Sequence, residues 1–447
     1  MTTPICDFVE KYISSEPVRM HMPGHKGLVY SGPEERDITE ITGADVLYHP
    51  EGIIRESEEN ATELFGTGKT VYSTEGSSLP IRAMLYMLKA YALQNGKRPI
   101  IAAGRNAHKV FVSAAALMDI EVSWLWPEGD VEGIVSCAIS PERLEKWLSS
   151  SSELPAAVYI TSPDYLGSIA DIKGLADTCH AHGCLLVVDN AHGSYLKFLP
   201  EDRHPITLGA DMCCDSAHKT LPALTGGAYL HVSKNAPELF SEQAEQAMAL
   251  FASTSPSYLI LQSLDRCNLY LSQSRPKLAV AAGEWSRVKD ELRSAGYELF
   301  GDEPLKLTIR TKSYGYLGTE LAEVLEEKNI FCEFFDRDNL VMMLPAEYDA
   351  GLPERIATEL RQIPRRESIK EKPPLVPAPE KIISLNKALY SPSELILTED
   401  AAGKIMADPC VSCPPAVPVV VYGERISAEA IEAMKYYGIN TIRVVKQ

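Results

Sequence analysis

One stretch constrains the fold of this chain more than any other: Cys184-Leu185-Leu186-Val187-Val188-Asp189, an unbroken apolar run ended by a carboxylate. A run without polar alternation suits a strand covered on both faces, as in a parallel sheet flanked by helices. In open α/β sheets ligands bind outside the carboxyl ends of the strands, so the acid at the end of this run marks a candidate site. Within residues 208–227 a second, shorter apolar run leads to Ser216-Ala217-His218-Lys219, and Thr220 and Pro222 cut it short. Most lysines are exposed. Lys219 instead reads as an amine that a strand delivers into a cleft.

An acid and an amine at the ends of two buried strands converge on one sheet edge. A buried carboxylate needs a cationic partner, and the protonated ring nitrogen of pyridoxal phosphate is one that a lysine Schiff base would bring with it. Around these two strands the chain alternates in the manner of βα units from residue 71 onward. Strands are expected near 71–73, 99–103, 120–125 and 156–160, and helices near 79–93, from the end of the loop 104–108 through 118, near 141–150 and near 172–181. Further helices are read at 4–18 and 55–65. Gly76-Ser77-Ser78 opens the helix at 79, where unpaired N–H groups and the helix dipole favour an anion such as phosphate; an ordinary Ser cap is the simpler use of the same residues. A helical stretch over 256–293 closes this large domain. A smaller α/β unit follows, with strands at 305–310 and within 330–344 and helices at 318–328 and up to 363. Residues 371–380 form a Pro-rich link. The tail reads as a helix at 394–406, a turn at Cys413–Pro418, a strand at 419–422 and a last helix. The expected division is an N-terminal segment 1–44, a large domain 45–295 and a small C-terminal domain 296–447.

With 447 residues, 45% of them hydrophobic, the chain can bury a large core in two or three domains. Its net charge of -18 repels phosphate backbones and anionic lipid, which speaks against nucleic-acid and membrane partners. No apolar stretch reaches the ~18 residues of a membrane span and the start lacks a signal region, so a cytoplasmic location is expected. The ten cysteines are scattered, several inside apolar runs, as reduced core residues would be. Cys410-Val411-Ser412-Cys413 has no second pair to complete a zinc site, and Pro414-Pro415 follows where a redox motif needs a helix. His21 and His25 are spaced for a helical metal pair, but Pro23 and Gly24 between them break the helix. No metal is expected. Gly66-Thr67-Gly68-Lys69-Thr70 looks like the end of a nucleotide-binding loop, yet that motif's first glycine would fall at Glu63 and a helix precedes it instead of a strand.

The segments HMPGHKG, YSTEGSS, GRNAHKV, TSPDYLG, VDNAHG, DSAHKT, STSPSYLILQSLD and CPPAVPVVVYGERI, in this order over about residues 19–430, resemble the short bacterial form of the ornithine/lysine/arginine decarboxylase family. These are fold type I pyridoxal-phosphate enzymes, so the resemblance implies an α/β, aspartate-aminotransferase-like large domain with a mostly parallel sheet and a smaller C-terminal α/β domain. It implies Lys219 as the Schiff-base lysine, Asp189 as partner of the pyridine nitrogen, His108 as the ring stacked on the cofactor and His192 beside its phenolic oxygen. Gly76, Ser77, Ser78, Ser216 and His218 would hold the phosphate. Ser253 and Ser255 would reach the phosphate of a neighbouring subunit, which implies a homodimer or tetramer with its site at the subunit interface. The amino-terminal wing domain of the long enzymes is missing, so no large ring is expected.

Four departures stand out. Glu75 takes the place of Asn in the phosphate loop, where an acid is unfavourable unless it turns away; Asn190 replaces the commoner Glu, Val110 a Ser, and CPPAVP the usual YPPGIP. The implied reaction is decarboxylation of a basic amino acid, arginine, lysine or ornithine, through an external aldimine to CO2 and an amine. A cationic substrate needs an acid at the far end of the site, and Glu424 and Asp164 are the candidates. An aminotransferase or lyase is the alternative. An aminotransferase would hold the substrate carboxylate with a bidentate arginine, Arg310 or Arg425. A non-catalytic regulatory protein on the same fold is the third reading.

Overall fold

The alternation of apolar runs with amphipathic stretches becomes a series of strands and helices in a computed structural model that describes residues 1–126, 138–409 and 419–446. In chain order, α1 (Pro4–Ser14), α2 (Ile53–Phe65), β1 (Lys69–Ser73) and α3 (Ser78–Gln94) come first. They are followed by β2 (Ile100–Gly104), α4 (Lys109–Leu117), β3 (Glu121–Leu125), α5 (Pro141–Ser150) and β4 (Ala157–Thr161). Next are α6 (Ile172–Ala181), β5 (Leu185–Asp189), β6 (Met212–Asp215), the single helical turn α7 (Ala217–Thr220), β7 (Ala228–Val232), α8 (Glu238–Ala249) and the long α9 (Tyr258–Ser294). The carboxyl-terminal part holds β8 (Glu298–Phe300), β9 (Lys306–Arg310), α10 (Gly318–Glu326), β10 (Phe334–Phe335), β11 (Asn339–Met343), α11 (Leu352–Arg361), α12 (Leu385–Tyr390), β12 (Ser393–Leu397), α13 (Ala428–Tyr436) and β13 (Thr441–Val445).

The chain divides into two compact units. The first comprises Met1–Arg98 and Ile172–Pro276, the second Pro99–Asp171 and Lys277–Gln447. In the first unit β5 pairs parallel with β6, β6 antiparallel with β7, and β7 antiparallel with β1. All of β5 and β6 is buried, as their unbroken apolar runs require. In the second unit β2 pairs parallel with β3 and with β4. A separate antiparallel sheet runs in the order β10-β11-β9-β8, and β12 pairs with β13. The core around α13 and β13 is built from residues such as Met406, Val420, Ile426, Met434 and Val444.

The helix expected at 394–406 is instead β12 followed by a short 3-10 turn at Thr398–Asp400. Leu395, Ile396 and Leu397 suit either state locally, and the antiparallel pairing of Ser393–Leu397 with Thr441–Val445 decides for the strand. Residues 419–422 form bends and a turn instead of the expected strand, because the Val421 N–H donates to the Glu424 carboxylate and the Val421 carbonyl accepts from the Glu424 N–H. The first helix ends at Ser14, four residues short of the expected end. Gly66 adopts the left-handed conformation (φ 71°) that closes α2, and Lys69 starts β1 and pairs with Glu245 at 2.8 Å, so the GTGKT stretch is a helix stop leading into a strand. The CxxC pair and the Cys413–Pro418 turn lie outside the described residues.

Candidate active site

In the first unit, β5 and β6 run side by side in register, with Asp189 opposite Cys214. Asp189 ends β5, is buried, and accepts from the Ala191 N–H (3.3 Å) and the Cys214 thiol (3.6 Å). Two residues beyond Ala191's neighbour Asn190, the chain carries His192, whose Nε2 lies 3.1 Å from the Lys219 Nζ. Lys219 sits on the helical turn α7 instead of at the strand end itself: β6 stops at Asp215, and Ser216-Ala217-His218 turn the chain before the amine is presented. The side chain found against the Lys219 amine is thus His192, three positions past the acid that ends β5.

Gly76, Ser77 and Ser78 stand at the start of α3, and the Ser77 side chain is not used as its cap. The Gly76 N–H donates to the Gly226 carbonyl at 2.7 Å, and Gly76 lies beside the His218 ring, whose Cε1 would be 3.9 Å from a side-chain carbon added there. His218 is oriented by its Nδ1, 3.0 Å from the Gly227 carbonyl. Gly226 itself has φ +100°, and an added Cβ would come within 2.8 Å of the Thr74 carbonyl, so this approach of two loops requires glycine. The Ser216 hydroxyl is buried with no hydrogen-bond partner among the described residues. Uncommitted hydroxyls, a helix start and an oriented imidazole suit a phosphate ester, and a partly buried amine next to an imidazole suits a Schiff base. Pyridoxal phosphate therefore fits the residues of this unit. Glu75 Oε1 accepts from the Ser253 N–H at 2.7 Å, and so ties down the exposed segment that carries Ser253 and Ser255.

Behind Asp189 lies a buried polar cluster that inspection of the sequence passes over. Asp215 Oδ1 accepts from Asn190 Nδ2 at 2.6 Å, while Oδ2 lies 3.2 Å from His204 Nε2 and 3.4 Å from His231 Nε2, all with fully buried side chains. Burial alone would raise the Asp215 carboxyl, but the two imidazoles outweigh it and hold it well below the usual carboxylate range. Burial lowers His231 below the ordinary imidazole value, with Asp215 opposing. The signal available in the sequence was an acid closing the apolar run Met212-Cys213-Cys214, the same pattern that drew attention to Asp189.

The remaining candidates belong to the second unit. His108 caps α4, its Nδ1 accepting from the Val110 N–H at 3.2 Å. Asp164 is buried and its Oδ1 accepts from the N–H groups of Leu166 and Ser168 at 3.0 and 2.9 Å, shaping its own loop. Glu424 is buried with both oxygens held by Arg105, at 2.8 and 2.7 Å, and the guanidinium carbon lies 4.8 and 5.0 Å from the centroids of the Trp124 and Trp126 rings. Arg310 pairs with Glu298 and Arg425 with Glu380.

A mostly parallel α/β sheet with a lysine on the turn after one strand and a buried acid at the end of its neighbour defines a fold type I pyridoxal-phosphate enzyme. The comparisons narrow this class. Residues 3–282 match the family model for the major domain of the Orn/Lys/Arg decarboxylases, and the chain belongs to that family of pyridoxal-phosphate-dependent lyases. It is 29% identical to "Uncharacterized protein YaaO" of Bacillus subtilis over 97% of this chain and 94% of that protein. It is 28% identical to the arginine decarboxylase of Halalkalibacterium halodurans over 95% of this chain and 91% of the relative. The crystal structure of the Francisella novicida lysine decarboxylase LdcF has the same fold, with a TM-score of 0.78 at 18% identity, covering 99% of this chain and 81% of that one. Among the described residues no helix is long and apolar enough to cross a membrane.

Proposed function

We propose that the chain removes the α-carboxylate of a basic amino acid, with arginine the leading substrate, to give CO2 and agmatine. The observation that carries this reading is the Lys219 amine beside His192 Nε2, in the unit where Asp189 ends β5. The choice of arginine is supported by relatives named arginine decarboxylase that match nearly the whole chain.

Pyridoxal phosphate, when bound, supplies the ring that accepts the electrons released at Cα. Lys219 would hold it through its amine. Asp189 would keep a proton on the ring nitrogen. His192, at the Lys219 amine, takes or returns a proton through Nε2. Gly76, Ser77, Ser78, Ser216 and His218 would hold the phosphate, the family resemblance would give His108 the ring face, and Ser253 and Ser255 would serve the site of a second copy, in a dimer or tetramer. For the cationic end of the substrate Asp164 and Glu424 remain the acids to test. A substrate cation reaching Glu424 would have to replace Arg105.

The test is to incubate the full chain, loaded with pyridoxal phosphate, with arginine, lysine, ornithine and several neutral amino acids, assaying CO2 and product amine together. CO2 and agmatine in equal amounts from arginine are expected. Conversion of the cofactor to its amine form without CO2 would overturn the reading in favour of an aminotransferase.

A further inference from the structure

The cluster around Asp215 stands at the place where the two functional arms of the first unit leave the sheet. β5 and β6 share their last regular pair at Asp189 and Cys214, and the Asn190 N–H still donates to the Cys214 carbonyl at 3.0 Å. The next residues on the two strands are Asn190 and Asp215. Beyond them one arm continues to His192 and the other to Ser216 and Lys219. Their side chains make the last cross-strand bond before the fork, Asn190 Nδ2 to Asp215 Oδ1 at 2.6 Å.

The other carboxylate oxygen is held from two more directions. His231, on β7, approaches it at 3.4 Å, and His204, from the connection between β5 and β6, at 3.2 Å. His231 is fixed in turn by the Thr70 hydroxyl at 2.9 Å from its Nδ1, and Thr70 by Thr67 at 2.8 Å. One buried carboxylate thus joins the end of β6 to both of its neighbours, β5 and β7. In a buried setting each such bond is geometrically strict, because a donor that loses its acceptor has no water to turn to.

We propose that Asp215 is a positioning residue: by clamping Asn190, His204 and His231 at the fork, it sets how the arm carrying His192 meets the arm carrying Lys219. The proposal rests on the reading of Lys219 and Asp189 as the cofactor pair. A carboxylate suits this task better than an amide, since both oxygens accept and all the groups facing them can donate. An Asn at 215 would turn an NH2 group toward one of those donors.

The experiment measures three quantities on the full chain: pyridoxal-phosphate affinity, the pH midpoint of the visible band of the lysine-bound cofactor, and the melting temperature. Asp215→Asn is expected to weaken cofactor binding at least tenfold and to move the pH midpoint. The double variant Asn190→Asp with Asp215→Asn restores a carboxylate–amide bond across the fork with its direction reversed, and should recover most of the affinity. Asn190→Ala keeps the carboxylate and its histidines, so it serves if Asp215→Asn does not fold; it should shift the midpoint in the same direction. Wild-type affinity and midpoint in Asn190→Ala, or a double variant no better than Asp215→Asn, would overturn the proposal. A visible band that survives Lys219→Ala is a different failure, since it removes Lys219 from the cofactor and the underlying reading with it.

Discussion

Two buried carboxylates, one in each unit, are held in opposite ways. Glu424 in the second unit faces a guanidinium in bidentate geometry, with the Val421 N–H adding a third bond at 2.8 Å and two tryptophan rings near the cation. Asp215 in the first unit faces two imidazoles and an amide. A guanidinium keeps its charge at every accessible pH, so the Arg105–Glu424 pair is a fixed piece of architecture. One imidazole of the Asp215 cluster, His231, is held below its ordinary value by burial, so that cluster is tied to pH. A third acid, Glu58, shows what happens with neither kind of partner. It is buried in the first unit, accepts from the Tyr72 N–H at 2.8 Å, and burial pushes its carboxyl up to about 8 against that bond.

The largest effect is expected from breaking the fixed pair. Arg105→Met leaves Glu424 buried without its cation and should cost about 3–5 kcal/mol in denaturant unfolding. Replacing both partners, Arg105→Met with Glu424→Leu, should return most of that loss, because two apolar groups leave no charge unpaired. A single-variant loss under about 1 kcal/mol would mean that Glu424 finds another partner.

Glu58 should respond the other way. In the unfolded chain it ionises near its ordinary value, while in the fold it stays protonated until about 8. The folded state therefore binds the extra proton, and the stability associated with this group is complete below the unfolded value and is lost as pH rises toward 8. Glu58→Gln should raise stability by about 1–3 kcal/mol at pH 8 and by little at pH 4, read from melting curves at both. Equal gains at the two pH values would show that Glu58 is ionised throughout.

His231→Gln is the smallest and sharpens the pH side of the comparison. With His231 held below its ordinary value in the fold, the unfolded chain binds the proton first, so this group withdraws stability as pH falls below the ordinary imidazole range. The variant should cost about 1 kcal/mol at pH 7.5 through lost bonds. Its stability should also fall less steeply than wild type between pH 7 and 5. An unchanged slope would place the pH dependence elsewhere.

Much of the site was legible because buried strands announce themselves. The apolar runs before Asp189 and Asp215 gave β5 and β6, and the polar residues just past them, His192, Ser216 and Lys219, lie together in the first unit. Elsewhere the local pattern was silent or ambiguous. The strands β7, β8 and β13 and the helices α8 and α12 have no expectation in the sequence, and the pattern at β12 suits a helix; for the short strands the reason is that such segments acquire their state from the strand they pair with. The bond from the Ser253 N–H to Glu75 had no local signal, since the two stand 178 positions apart.

Hydrophobic periodicity is a local property, and by itself it determined the α/β class, the order of most strands and helices, and the residues that end the two central strands. The partners of the buried charges were decided only by the tertiary structure. Arg105 and Glu424 stand 319 positions apart, and Asn190 and Asp215 stand 25 apart. No spacing in the chain encodes those meetings. A charge removed from water selects whatever donor the folded backbone brings within about 3 Å, and that distance exists only once the strands have packed.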